Sequence, residues 1–271
     1  MLTKIKNKAA GLTNRAARFF ELLPKQAAYK FYVGTIPSYQ ALSSAEKKLL
    51  SEPWYHDFSY FGIKTVQEPG IWKANQQSKE KPIFSYIDQA IAWCRQNGSP
   101  SRGVELFCAD GYYGIYAVKN GAESVHGLDL DVKNLARAAL MAKLTGLSQK
   151  VHFERRDVYT MDKTYDFGIC AGGLYHISDP AGLLKLLSRQ VRGPLVIQTV
   201  YSLANASKDY FETPAPGWTW GSRFSYDYLR RMIEEAGWRI IGETKNELMG
   251  NKRPEDRGSA YFLCVNERAR L

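Results

Sequence analysis

No apolar run in this sequence approaches the ~18 residues that would suggest a membrane span. The first residues lack the uninterrupted apolar stretch of a secretory signal. The four cysteines (Cys94, Cys108, Cys170 and Cys264) form no C-x-x-C pair, so neither a zinc site nor a redox dithiol is indicated. Cys108 and Cys170 sit inside apolar, strand-like runs and are expected to be buried thiols, and the expected compartment is a reducing cytoplasm. Internal repeats and low-complexity tracts are missing as well.

What is present is an ordinary globular composition. With 271 residues, 45% hydrophobic and 24% charged, the chain has room for one large α/β domain and an appendage. The net charge of +10 favours anionic partners such as RNA, phosphorylated metabolites or an anionic membrane surface; a basic surface that only keeps the protein soluble fits the same number.

Three zones follow along the chain. In residues 1–30, Lys4, Lys6, Lys8, Arg15, Arg18, Lys25 and Lys30 face only Glu21. There Leu2, Ile5, Ala9, Leu12, Ala16, Phe19 and Leu23 fall on one face of a helix that Pro24 should stop. This helix is expected to pack on the body or to join two copies of the chain. RNA phosphates and a membrane surface are the other readings. Residues 31–82 are interrupted by Pro37, Pro53, Pro69 and Pro82, yet carry Trp54, Tyr55, Phe58, Tyr60, Phe61 and Trp72. That is too aromatic for a linker, so residues 1–82 are expected to form a cap and 83–271 the main domain. From a helix at 84–96, ended by Asn97-Gly98, strand-like segments (103–108, 124–129, 151–155, 165–171, 194–200) alternate with helical ones (113–120, 132–145, 180–190, 225–236). This alternation predicts a doubly wound, mostly parallel sheet. The last two strands, 238–244 and 259–265, have only a polar stretch between them and should pair antiparallel.

The most informative segment is Val104 to Gly114, VELFCADGYYG, a short strand that turns into a helix through small residues. In an open α/β sheet such a turn lies at the carboxyl edge, where ligands bind, and Gly111 would let the backbone approach one. The next strand ends at Asp129, about 20 residues on, a distance that suits hydrogen bonds to ribose hydroxyls. A third acid, Asp157, follows the third strand. Each acid alone could simply cap a helix, but three in register after three strands argue for a bound nucleoside.

The segment resembles motif I of class I S-adenosylmethionine-dependent methyltransferases, acidic-x-G-x-G-x-G, with Glu105 at the acid and Gly111 at the third glycine. Phe107 and Ala109 stand where the first two glycines are usual. Phe107 suggests a loop with a different path, or an extra contact to the ligand. A dinucleotide enzyme needs close approach at all three glycines, so S-adenosylmethionine is the expected cofactor. The resemblance implies a seven-stranded Rossmann-like sheet. It implies a cofactor held by Glu105, Phe107, Ala109, Gly111 and Asp129, with Leu130 flanking the adenine and Asp157 and Val158 capping it. The turn after the fourth strand, Gly172 to Pro180, resembles small-molecule and tRNA-modifying methyltransferases and puts Tyr175 and His176 beside the methyl group. His176 is either a general base or a structural histidine of the loop. Trp54-Tyr55-His56, with Phe58 and Thr65, is similar to a lead-in segment in relatives of the tRNA wobble-uridine carboxymethyl-transferring enzymes. It makes His56 a third catalytic candidate, with core packing the alternative for Trp54 and Tyr55. The cluster by which those enzymes hold a carboxylated cofactor is missing.

The stretch Pro214–Ser225 carries Trp218 and Trp220 and is expected to be a lid. In it Arg223 is available to an anionic group, and Ser225 caps the next helix. The expected activity is methyl transfer to an oxygen or nitrogen of a small-molecule or RNA acceptor. The alternative is a non-catalytic RNA-binding protein in which Phe107 fills the cofactor pocket, with a dehydrogenase a distant third.

Overall fold

The computed structural model describes residues 39–267, and the expected N-terminal helix, its stop at Pro24 and the dimer contact assigned to it lie outside the described residues. The chain divides into two compact units between Lys73 and Ala74.

In the first unit, helix α1 (Ser44–Leu50) opens with a capping box in which Ser43 and Glu46 each accept the other's backbone N–H. Trp54 is fully buried, donates from Nε1 to the Leu50 carbonyl at 3.3 Å, and meets Phe58 edge-on at 5.7 Å. A 3-10 turn, Phe58–Phe61, follows. The Thr65 hydroxyl donates to the His56 carbonyl at 2.9 Å and accepts from the Phe58 N–H at 3.2 Å. Trp54 and Phe58 therefore act as packing core. His56 is buried in the same unit, with Tyr55 against its ring at 4.8 Å.

The second unit holds strands β1 (Arg102–Leu106), β2 (Ser124–Asp129), β3 (Val151–Arg155), β4 (Phe167–Ala171), β5 (Pro194–Tyr201), β6 (Phe211–Glu212), β7 (Arg223–Phe224), β8 (Trp238–Glu247) and β9 (Gly258–Asn266). Its helices are α2 (Trp72–Gln96, which begins two residues before the division), α3 (Tyr112–Lys119), α4 (Val132–Leu144), α5 (Pro180–Gln190) and α6 (Tyr226–Glu235). Seven strands form one sheet in the order β3-β2-β1-β4-β5-β9-β8. β1 to β5 are parallel, and β9 runs antiparallel to both β5 and β8. A polar connection without a crossover helix leaves the last pair no other arrangement. Pleating sends Val104 and Leu106 to one face, where Leu183 and Leu187 of α5 and Leu229 and Ile233 of α6 bury them, and Glu105 to the other.

Two elements differ from expectation. The short ribbon β6–β7 turns the Pro214–Ser225 region into a hairpin loop. Helix α2 starts twelve residues before the expected Phe84 and runs through Pro82. A proline inside a helix leaves the carbonyl four residues earlier without its donor. Here that carbonyl is Ser78's, and it accepts from Asn246 Nδ2 at 2.8 Å and from the Tyr261 hydroxyl at 3.3 Å. Side chains of β8 and β9 thus replace the missing N–H.

Among the described residues no helix is long and apolar enough to cross a membrane. The sheet changes winding direction between β1 and β4, so the crevice that binds ligands in such folds opens at the carboxyl ends of these two strands.

Candidate active site at the carboxyl edge of the sheet

The turn after β1 keeps a glycine-loop path without the glycines. Phe107, Ala109 and Gly111 all have left-handed backbones, with φ of 54°, 47° and 76°. These are the three positions where motif I has glycine. At Phe107 and Ala109 non-glycine residues adopt this strained conformation, at about 1–2 kcal/mol each. The Phe107 ring is accommodated by a second glycine: a Cβ on Gly173 would sit 1.9 Å from its Cδ2. Gly111 has a packing role as well. The space beside it faces inward, where a Cβ would lie 2.5 Å from the Phe153 ring and 3.0 Å from Ala138. Left-handed φ and packing beneath the loop each call for a glycine here, independently of any ligand.

Glu105 lies under this turn. One carboxylate oxygen accepts the Gly114 N–H at 2.9 Å, and a Cβ on Gly114 would reach to 2.6 Å of the same oxygen. Burial holds the Glu105 carboxyl well above its usual range, and the Gly114 N–H draws it partly back. Asp129, at the end of β2, accepts from the Ala109 N–H and the Asp131 N–H, both at 2.9 Å, and so ties the first loop to the second. Asp131 caps α4 through Lys133 N at 2.7 Å. Leu130, between Asp129 and Asp131, stays 59% exposed, a large apolar side chain left on the ligand edge. Asp157 caps a 3-10 turn through Tyr159 N at 3.0 Å and remains exposed. Val158 lies in the core below, with Leu174 and Leu183.

After β4 the chain makes another 3-10 turn, Leu174–His176. The Tyr175 and His176 rings are 4.1 Å apart between centroids. His176 is open on one side yet crowded on the others. Desolvation, then the Arg223 and Lys79 cations, depress its imidazole to about 4, so it is neutral at neutral pH. The hairpin loop docks on this turn: Ser222 N donates to the Tyr175 carbonyl at 3.1 Å. Arg223 is not available to an anionic ligand. It is 3% exposed, places Nε and Nη2 on Asp256 Oδ1 at 2.8 and 2.7 Å, and directs Nη1 to the Tyr175 and Ser222 carbonyls. Ser225 caps α6 through Tyr228 N, as its position suggested.

Three participants escaped the reading of the sequence. Asp256 lies in the connection between β8 and β9 that was read only as polar. Gly173 has a role only because of Phe107. Lys79 is buried on α2 and lies within electrostatic reach of Tyr175 and His176. Its signal was helical spacing, since Asn75, Lys79, Ile83 and Ile87 share one stripe, but Pro82 hid the helix. Two buried polar atoms on this edge, Gln198 Oε1 and Ser222 Oγ, lack a hydrogen-bond partner among the described residues. Two surface recesses, one lined by Arg102, His152, Lys163 and Arg192, the other by Trp93, Asp166 and Arg192, lie at the opposite, amino edge, away from all of these groups.

The family described as Methyltransferase domain matches residues 76–243. Among solved structures, the N-terminal domain of EvdMO1 with S-adenosylhomocysteine bound is 21% identical. The match covers 82% of this chain and 94% of that one, with a TM-score of 0.60. Magnesium protoporphyrin IX methyltransferase from Synechocystis PCC 6803, also with S-adenosylhomocysteine, is 15% identical over 78% of this chain and 93% of its own, with a TM-score of 0.54. The 4+2 cyclase SpnF is 16% identical over 68% of this chain and 80% of its own, with a TM-score of 0.55. At these identities the structures share a fold, and SpnF is named for a different reaction, so the likeness alone does not fix the chemistry. The family match takes in β1 to β5 and the loops that follow each of them: the chain belongs to the class I, S-adenosylmethionine-dependent methyltransferase-domain family.

Proposed function

We propose that the chain transfers a methyl group from S-adenosylmethionine to an oxygen or nitrogen of a small-molecule acceptor. The observation that carries this reading is the turn after β1, which holds three left-handed positions at the winding reversal and is tied by Asp129 to the end of β2. Residues present on this edge fit the cofactor. Asp129 retains lone pairs for ribose hydroxyls, exposed Leu130 offers an apolar face to adenine, and Asp157 has a carboxylate oxygen left over for the adenine amine. Glu105 would act from beneath, by fixing the loop and the first turn of α3. When bound, the cofactor supplies a methyl group on a positively charged sulfur.

The chain's own contribution is alignment and proton handling. The Phe107 ring against Gly173 fixes the first loop relative to the turn that carries Tyr175 and His176. In-line geometry of that kind supplies much of the acceleration of a displacement. His176, neutral at neutral pH, accepts the acceptor's proton. His56, in the first unit, keeps its place as a further candidate in catalysis. Four free, buried thiols suit a reducing cytoplasm. RNA remains the second acceptor class, favoured by the net charge of +10 and by the basic recess at the amino edge. None of the relatives described above is named for tRNA. The aromatic character of the carboxyl edge favours a small molecule.

The test is calorimetric titration with S-adenosylhomocysteine. The wild type should bind, and Asp129→Ala should bind at least about tenfold more weakly, the equivalent of one lost charge-assisted hydrogen bond. Asp129→Asn, which keeps an oxygen for the Ala109 N–H, separates loop anchoring from ribose contact. No heat with the wild type, or unchanged affinity in Asp129→Ala, would overturn the reading.

A further inference from the structure

Four rings run along the acceptor side of the site. Beyond the Tyr175–His176 pair, Trp220 stacks on His176 with centroids 5.2 Å apart and planes at 22°, and Trp218 lies 4.9 Å from Trp220. The two indoles are 43% and 41% exposed. They are nevertheless on a loop tied at many points. Thr213 Oγ1 donates to the Gly221 carbonyl at 2.9 Å, Trp218 N to the Ala215 carbonyl at 2.8 Å, Ala215 N to the Trp220 carbonyl at 3.2 Å, and Arg253 Nη2 to the Pro216 carbonyl at 2.6 Å. Exposed indoles held in fixed orientation do not add to the core; they present a flat apolar ledge to something outside. Two cations act on the inner rings of the ledge. Arg223 is committed to Asp256, but its charge also sits 5.3 Å from the Tyr175 ring. The second, Lys79, is buried: burial lowers its ammonium, Tyr175 and then Glu80 oppose that, and its charge acts on both Tyr175 and His176.

Building on the methyl-transfer reading above, we propose that the acceptor is a flat aromatic ring bearing an acidic hydroxyl, a phenol, which lies on the ledge of His176, Trp220 and Trp218 with its oxygen toward Lys79. The stack selects a flat ring. The cation selects an oxygen that reacts as an anion. A neutral imidazole, which ordinarily titrates near about 6.5, is too weak a base for an aliphatic alcohol. A phenol, ordinarily ionising near about 10, comes within reach when a neighbouring lysine stabilises its anion. In the step, the hydroxyl proton passes to the His176 imidazole and on to water. An electron pair on the phenolate oxygen forms the new O–CH3 bond. The S–CH3 bond breaks with its pair left on sulfur, which goes from sulfonium to neutral thioether.

The probe is 4-nitrophenol, whose anion absorbs visibly and whose binding is read by quenching of tryptophan fluorescence. It is titrated into the full-length protein with S-adenosylhomocysteine present. Saturable quenching is expected. Binding should weaken about tenfold in Trp220→Ala, the scale of one lost aromatic stack. Bound 4-nitrophenol should ionise about one pH unit or more below the free probe, and this shift should vanish in Lys79→Met and persist in Lys79→Arg. No saturable quenching, equal affinity for cyclohexanol, or an ionisation shift retained in Lys79→Met would overturn the proposal. Should Lys79→Met fail to fold by circular dichroism, Trp220→Ala and Trp218→Ala decide it through affinity alone. Calorimetry with S-adenosylhomocysteine on the same samples keeps the two readings apart. Normal heat with a probe indifferent to Trp220→Ala sinks only the phenol assignment. No heat sinks the cofactor reading on which it rests.

Discussion

The two halves of the carboxyl edge are built from different materials. On the β1–β2–β3 side, ligand-facing geometry is a matter of backbone: three left-handed residues, amides held by Glu105 and Asp129, and caps at Asp131 and Asp157. Most polar groups there already bond to neighbouring main chain. On the β4–β5 side it is a matter of side chains: four rings, a buried Arg223–Asp256 pair, and Lys79 brought in from α2. There Gln198 Oε1 and Ser222 Oγ are buried without a partner among the described residues. A backbone cradle suits a cofactor that is always the same. A side-chain site can be rebuilt for a new acceptor without disturbing it.

If this division is real, the acceptor half should depend on its buried ion pair far more than the cofactor half depends on any one carboxylate. Asp256→Ala leaves the Arg223 guanidinium buried and uncompensated, and also loosens the donor that holds the Tyr175 carbonyl. A loss of about 3–5 kcal/mol in urea unfolding is expected. A loss below about 1 kcal/mol would show that the hairpin loop is held by its backbone contacts alone, and the contrast between the halves would fall.

A sharper probe lies where the halves touch. Phe107 belongs to the cofactor loop and Gly173 to the acceptor turn, and the Phe107 ring occupies the space a Cβ on Gly173 would need. Gly173→Ala should cost about 1–3 kcal/mol by overpacking. In a Phe107→Gly background the same change should cost much less, and the coupling in a double-mutant cycle of unfolding free energies measures the contact. Equal costs in both backgrounds would mean that the turn moves freely relative to the loop.

The same contrast explains what could be read from the chain alone. The order of strands and helices, the antiparallel last pair and the Ser225 cap follow from local patterns, and local patterns specify backbone. So the loop at Phe107–Gly111 was legible as a motif even with two of its glycines replaced, although the β3 ring packed beneath Gly111 was not. Arg223 was read as free because its partner Asp256 is 33 residues away in a stretch with no pattern. Lys79 was missed because Pro82 looked like a helix stop. Its tolerance depends on Asn246 and Tyr261, whose arrival at Ser78 is a tertiary event that no window of sequence contains.

The smallest effect is expected at Glu105, which is buried in the cofactor half together with Asp110. Its pKa is raised by desolvation, so the folded chain holds the proton to higher pH than the unfolded chain does. Over the window from the ordinary glutamate value of 4.5 up to the raised one, the unfolded chain gives up its proton first, and stability falls as pH rises. Glu105→Gln removes the titration and keeps an oxygen for the Gly114 N–H. Unfolding free energies of the two proteins should therefore agree within about 1 kcal/mol at acid pH, where both side chains are neutral. They should part as pH rises, with the glutamine variant the more stable and its profile the flatter. Parallel profiles, or a glutamine variant that loses stability with rising pH faster than the wild type, would show that the carboxylate is stabilised beneath the loop by more than the Gly114 amide. The cofactor half would then rest on a buried charge, as the acceptor half does.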